Sequence, residues 1–236
     1  MQDSIAWYHL FEKETIQRVT LLEAQGFCNE NYLVITDKKK YIARKLIRTD
    51  IDRKFEYEVQ GLAFKEGITA KPLMYDKKNA LMLSEFVEGE HKALLKRDDL
   101  KALAHTLQKL HTITRERKPI AIEIENETEE TVKAFEIIEA YEKEYVLCHN
   151  DLNPQNILWS KEIKLIDWEY AGINDRYFDL ASVCVEFKLD KAMQALFLEV
   201  YFSANPYSLQ KLEAYKTLYN VLCKEWFDEN HLIGDA

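Results

Sequence analysis

The sequence predicts an α+β chain in two parts: a strand-rich stretch of about 88 residues carrying one helix, then a mostly helical remainder. Three observations predict it. Short runs of β-branched and aromatic residues, separated by charged or glycine-containing turns, fill the first part, whereas long amphipathic segments fill the second. No internal repeat or low-complexity stretch appears, which excludes a solenoid or an array. With 236 residues and 47% hydrophobic content, the chain can bury a sizeable core as one large domain or two lobes.

In order, 19–24 reads as a strand, Gln25–Glu30 as a turn, and Tyr32–Thr36 as a second strand. The charged turn at Asp37–Lys39 leads to a third strand over Tyr41–Leu46. Apolar residues at Phe55, Val59, Leu62 and Ala63 give helical spacing from Asp52 to Lys65, with Gly67 as the stop. Ala80–Leu83 is a further strand, and Ser84–Gly89 reads as the connection to the second part. Helices are predicted over Asp98–Thr112, Glu129–Tyr141, Phe178–Phe187, Lys191–Phe202 and Leu209–Asp228. Glu144–Cys148 is a short apolar approach ending as a strand, and Glu123–Glu127 an acidic, solvated loop.

The chemistry concentrates at His149-Asn150-Asp151-Leu152-Asn153-Pro154-Gln155-Asn156, followed by Asp167. This is H-x-D-x-x-x-x-N with a second Asp eleven residues after the Asn. Metal-assisted phosphoryl transfer needs a carboxylate to orient and deprotonate a hydroxyl, and oxygen ligands for the magnesium that bridges the nucleotide phosphates. Asp151 fits the first role, and Asn156 with Asp167 the second. Asn153-Pro154 breaks regular structure and makes a loop. Ile157–Trp159 and Ile163–Ile166 form a hairpin pattern that would set Asn156 beside Asp167. His149 is read as fixing the loop by hydrogen bonds rather than titrating. A lone D-x-x-x-x-N would be weak; the flanking His and Asp make it specific.

A net charge of −9 argues against nucleic acid or an anionic membrane surface as the main partner. Cys28, Cys148, Cys184 and Cys223 are widely spaced with no C-x-x-C pair, as in reduced thiols of a cytoplasmic protein rather than a disulfide frame or zinc site. The first residues carry no basic-then-apolar leader, and no stretch has transmembrane length.

The chain resembles the choline/ethanolamine kinase and aminoglycoside phosphotransferase superfamily, and within it the bacterial choline kinases of the phosphorylcholine type. Besides the motif above, Gly26–Val34 resembles the nucleotide loop, Asp52-Arg53-Lys54-Phe55-Glu56 the D-R-x-x-E opening of the ion-pair helix, and Glu85–Gly89 the hinge. Leu110-His111 resembles an L-H that ends a helix of the second lobe, and Ile166–Gly172 with Phe178–Ala181 the metal segment and its sequel. The likeness runs from about Gly26 to Glu186, a span read from motifs of this kind. It implies a protein-kinase-like two-lobed fold: residues 1–88 as a nucleotide-binding lobe with a small antiparallel sheet and one helix, residues 89–236 as the catalytic and substrate-binding lobe.

The resemblance also implies ATP as co-substrate, Mg2+ as cofactor, and a small cationic alcohol such as choline as acceptor. Gly26 and Asn29 would shape the phosphate loop, Glu85 would lie at the hinge, and Arg44 would meet the phosphates and pair with Glu56. Lys45 and Glu58 are the register alternatives. Asp179 either caps a helix or braces the catalytic loop, and His111 reads as a hydrogen-bonded core residue. A quaternary ammonium demands aromatic faces and a carboxylate, for which Tyr170, Trp168 and Glu186 are candidates. The family's C-terminal W-x-x-W is replaced here by Tyr219 and Leu222, with Trp226 further on; for Tyr219 and Trp226, core packing is the standing alternative to a cage. Ethanolamine, thiamine or an aminoglycoside are alternative acceptors, and a non-catalytic nucleotide-binding protein is the rival from another class. A homodimer is compatible with related families, but no residue pattern identifies an interface.

Overall fold

The computed structural model describes residues 11–22, 28–203 and 205–234. The chain divides into two compact units, Met1–Glu88 and Gly89–Ala236.

The first unit is a five-stranded antiparallel sheet in the order β1-β2-β3-β5-β4. Its strands are β1 (Ile16–Leu21), β2 (Asn29–Thr36), β3 (Lys40–Leu46), β4 (Pro72–Asp76) and β5 (Leu81–Glu85). The β2–β3 turn closes because the Thr36 hydroxyl accepts from the backbone N–H groups of Lys38 and Lys39, at 3.1 and 2.9 Å. Val34, Tyr41, Ala43, Leu81 and Leu83 form a buried cluster with Phe11, whose ring meets Tyr41 edge-on at 5.2 Å. The one α-helix among the described residues of this unit, α1 (Arg53–Lys65), starts where the Asp52 side chain accepts from Phe55 N. It ends in a Schellman turn: Gly67, at φ +73°, donates to Phe64 O, and Ile68 donates to Ala63 O.

Three features of this unit differ from the prediction. β4 does not appear in the sequence reading, because its five residues are all half-buried and show no alternation, and it opens on a proline that suits an edge. Ser84 and Glu85 belong to β5 and not to a connection, since they pair across to Ile42 and Tyr41. The first strand also begins earlier than the predicted 19–24, at Ile16.

The second unit is built on helices α2 (Arg97–His111), α3 (Glu129–Glu139), α4 (Arg176–Glu186), α5 (Lys191–Phe202) and α6 (Leu209–Gly234). α6 packs against α3 and α4, and α5 against α2. Leu100, Leu103, Leu107 and Leu110 give α2 a fully buried stripe at three- and four-residue spacing. Two small antiparallel pairs carry the motif residues: β6 (Tyr145–Cys148) with β9 (Gly172–Asp175), and β7 (Ile157–Leu158) with β8 (Lys164–Leu165). β9 is absent from the sequence reading because Gly-Ile-Asn-Asp carries turn formers. Its register with β6, Cys148 opposite Gly172 and Tyr145 opposite Asp175, supplies the pairing that the composition hides.

An ionic knot joins α6 to this sheet. Lys211, 1% exposed, places its ammonium 2.8 Å from Asp175, 3.1 Å from Glu144 and 4.5 Å above the Tyr177 ring. Asp175 also caps α4 by accepting from Tyr177 N. A buried pair of this kind adds little net stability, but breaking it strands a charge. Lys211→Ala is expected to cost about 3–5 kcal/mol, read as a lowered urea midpoint. Lys211→Met, which keeps the bulk, is expected to lose nearly as much, because the cost lies in the unpaired Asp175 carboxylate.

Candidate functional site

The catalytic-type loop hangs on one carboxylate. Asp179, fully buried on α4, accepts from the backbone N–H of His149 (2.9 Å) and of Asn150 (2.8 Å), one on each oxygen. His111 Nε2 donates to the same carboxylate at 3.0 Å, so His111 Nδ1 is left to accept from the Tyr201 hydroxyl at 2.6 Å. Of the two roles open to Asp179, bracing is the one observed, and His111 is a hydrogen-bonded core residue. Cys148, beside them, is a buried thiol donating to the Asn174 and Asp175 carbonyls at 3.7 Å. Burial, followed by the charge of Asp179, drives its pKa well up. With each polar atom of His111 and Asp179 already bonded, this trio reads as structure rather than a metal centre.

The brace holds Asn150 at φ +65°, a left-handed conformation that Asn tolerates. The Asn150 side chain donates to Tyr170 O at 3.0 Å and accepts from Asn174 Nδ2 at 2.9 Å, tying the loop to β9. His149 is fully buried, bonds Ile166 O through Nε2 at 2.9 Å, and packs on Trp168 with ring centres 4.7 Å apart and the planes tilted by 50°. This corrects the assignment of Trp168 to the substrate: its ring packs on the buried His149 in the core, where it is 1% exposed.

Asp151 sits between two amides. Asn153 Nδ2 donates to Oδ1 at 2.9 Å and Asn156 Nδ2 to Oδ2 at 2.6 Å. Its pKa is raised from the ordinary value, first by burial and also by the charge of Asp167, against the lowering pull of His149 and the two amides. The 3₁₀ turn Pro154–Asn156 leads directly into β7, and Ile166 N donates to Asn156 O at 3.0 Å. The predicted hairpin therefore forms and brings Asn156 to the residue preceding Asp167. Asp167 itself takes φ +64°, a strained value for a non-glycine residue. Because the Asn156 amide spends its NH₂ on Asp151, its carbonyl oxygen is the atom that, with the Asp167 carboxylate, could hold a cation. Hard oxygen donors of this kind suit Mg2+.

A wall of aromatic and acidic groups stands in the same unit. Tyr219 is 4% exposed, its ring packed edge-on against Phe178 in the core, and its hydroxyl donates to Glu186 Oε1 at 3.0 Å; Trp226 Nε1 donates to the Tyr170 hydroxyl at 3.1 Å. Glu186 is half-buried; burial raises its pKa, and the Asp151 charge adds to the rise. Cys223 also bonds Tyr219 and is pushed up to about 11, first by burial. Tyr219, Cys223 and Trp226 lie at i, i+4 and i+7 on α6, one face of the helix. Helix register thus places Trp226, and not Leu222, beside Tyr170.

In the first unit, Arg44 Nη1 meets Glu56 at 2.6 Å, and Arg53 meets the other Glu56 oxygen at 2.8 Å. Lys45 pairs instead with Glu30, and Glu58 with Lys54, which resolves the register in favour of Arg44 and Glu56. Asn29 is buried at the start of β2, and Glu85 in β5 pairs with exposed Lys39 at 3.3 Å. Gly26 lies outside the described residues. The sequence reading missed Arg53, Asn153, Asn150, Asn174 and Cys223. Asn150 and Asn153 flank Asp151 in the motif and were open to notice; Asn174 and Cys223 carry no local signal.

The choline/ethanolamine kinase model matches residues 76–211, more than half the chain. The chain belongs to that family. Protein LicA of Haemophilus influenzae is 25% identical over 205 residues, covering 75% of this chain and 60% of that protein. The choline kinase LicA from Streptococcus pneumoniae superposes with a TM-score of 0.79 at 23% identity, covering 99% of this chain and 92% of that one. A LicA crystallised with AMP gives a TM-score of 0.78 at 24% identity, covering 100% and 90%. The α+β architecture of the family is therefore the fold of this chain, and membership places it among the small-molecule kinases.

Asp179→Asn keeps one acceptor and the side-chain volume but loses the charge that two backbone N–H groups share. A hydrogen bond to a charged group is worth about 1.5–3 kcal/mol. The variant is expected to lose roughly tenfold or more in kcat while remaining folded by circular dichroism, because the loop holding Asp151 loosens before the helices do.

Proposed function

We propose that this protein is an ATP- and Mg2+-dependent kinase that phosphorylates the hydroxyl of a small cationic alcohol, choline in the first instance. One observation carries the reading: the Glu186–Tyr219 pair and the Trp226–Tyr170 pair lie in the same unit as Asp151, close enough that the Asp151 charge raises the pKa of Glu186. A quaternary ammonium has no N–H to donate, so aromatic faces and an unpaired carboxylate charge are what can recognise it.

Asp151 would accept the hydroxyl proton as the alcohol oxygen attacks the γ-phosphorus; its raised pKa makes it a stronger base than an exposed carboxylate. The O–H and the bond from γ-phosphorus to the bridging oxygen break, the new O–P bond forms, and ADP leaves. Asn153 and Asn156 orient the Asp151 carboxylate. Asn156 and Asp167 would hold Mg2+, which would offset the negative charge of the nucleotide phosphates. Arg44, fixed by Glu56, is the phosphate cation of the first unit. Four free cysteines, three of them buried, suit a reducing, cytoplasmic setting, and among the described residues no helix is long and apolar enough to cross a membrane.

The test is ADP release from MgATP with choline, ethanolamine and thiamine supplied separately. Choline is expected to give turnover, and Asp151→Ala to cut kcat roughly a hundred- to ten-thousandfold. Turnover with ethanolamine but not choline would overturn the aromatic recognition of a quaternary ammonium. No turnover despite bound MgATP would favour the binding-only reading.

The pH dependence has a defined sign. Glu186 attracts the cation only when ionised, and its pKa is raised, so the KM for choline is expected to climb as pH falls toward that pKa. Glu186→Gln is expected to raise the KM about tenfold, roughly 1.4 kcal/mol, and to flatten this pH dependence.

A further inference from the structure

The segment between α2 and α3 has no regular structure, yet it is tied down at two places. Ile120 N donates to Ile173 O of β9 at 2.8 Å. Its side chain occupies the space that Gly172 leaves: a Cβ on Gly172 would come within 2.5 Å of Ile120 Cδ1. Six residues on, the Glu225 carboxylate of α6 accepts three hydrogen bonds from the same segment. They come from Glu125 N at 3.2 Å, Asn126 N at 2.8 Å and Asn126 Nδ2 at 3.2 Å. Those backbone and amide bonds hold the Glu225 pKa below its ordinary value although burial opposes them.

Both anchors adjoin functional groups. At the first, Gly172 lies opposite Cys148 and within reach of the Asn150 amide, one residue from Asp151. At the second, Glu225 immediately precedes Trp226, whose indole bonds Tyr170. The segment thus bridges the sheet behind the catalytic loop and the far part of the helix that carries Tyr219, Cys223 and Trp226. Lys211 ties down the start of α6, and the Glu225 bonds hold the turn of the same helix from which Trp226 reaches Tyr170.

We infer that Glu225 is a positioning residue for the alcohol site: its clasp on Glu125 and Asn126 fixes the register of the Trp226 turn of α6 against Tyr170. This rests on the reading that the Glu186–Tyr219–Trp226 wall receives the alcohol. The clasp acts on binding of the alcohol and not on the chemical step, since Asp151, Asn156 and Asp167 are held by Asp179 and the β7–β8 pair and not by α6. It is also insensitive to pH near neutrality, because a carboxylate with a lowered pKa stays ionised there.

The experiment compares Glu225→Ala, Glu225→Gln and, as control, the exposed neighbour Lys224→Ala. Steady-state kinetics on MgATP and choline are paired with amide hydrogen exchange over 219–228. Glu225→Ala is expected to raise the KM for choline at least fivefold, with kcat and the KM for ATP changed less than twofold. Glu225→Gln, which can still accept from backbone N–H groups, should recover part of that loss, and Lys224→Ala should match wild type. An unchanged KM for choline, or a parallel fall in every kinetic parameter with a lowered melting temperature, would overturn the inference. If the wild type phosphorylated no alcohol, the functional reading itself would fail. The clasp would then be judged by exchange alone: faster exchange over 219–228 in Glu225→Ala supports it, and identical exchange refutes it.

Discussion

A buried aspartate with no compensating cation nearby would be costly, and the protein meets that cost at Asp179 by loading its carboxylate with donors. Two are consecutive backbone N–H groups, His149 and Asn150, and the third is His111, itself fixed by Tyr201. That arrangement requires the chain to leave β6 in one conformation, with Asn150 left-handed, and so aims Asp151. The 3₁₀ turn and the β7–β8 pair then deliver Asn156 beside the residue before Asp167. The rest of the unit serves this constraint. α4 carries Asp179, Asp175 caps α4, and Lys211 of α6 neutralises Asp175.

On the proposed reading, the same helices give the acceptor side of the reaction. Glu186 closes the helix that Asp179 opens, two turns further on, and Tyr219 bonds it from α6. Asp151 and Glu186 therefore sit in one unit, and the Asp151 charge adds to the rise of the Glu186 pKa. On the proposed reading, a cation placed beside Glu186 offsets that charge, which links recognition of an ammonium to the ionisation of Glu186. Tyr170 and Trp226 add the apolar faces that a methylated ammonium favours over water.

Much of this was legible in the chain. The H-x-D-x-x-x-x-N run with its trailing Asp is local, its chemistry needs those residues at that spacing, and the helices after residue 89 declared themselves by apolar period; Lys191–Phe202 coincides with its prediction. The failures share a cause. β4 and β9 are short, lack alternation, and exist because a neighbouring strand offers hydrogen bonds, which no window of sequence displays. Trp168 reads as a ligand-facing aromatic until tertiary packing on His149 buries it. Trp226 comes to Tyr170 because it shares a face of α6 with Tyr219 and Cys223, a pairing between distant segments that no local window displays. The three bonds of Glu225 span about a hundred residues, beyond any local signal.

In the proposed reaction, Asp151 and the Glu186–Tyr219–Trp226 wall together move a phosphoryl group onto a cationic alcohol. Phosphorus NMR of the wild-type protein incubated with MgATP and choline shows which oxygen receives the phosphate. A phosphomonoester resonance is expected to grow in step with ADP and to be absent when Asp151 is replaced by Ala. Inorganic phosphate as the sole new signal, or a phosphomonoester formed equally well by the Asp151→Ala protein, would contradict that reaction.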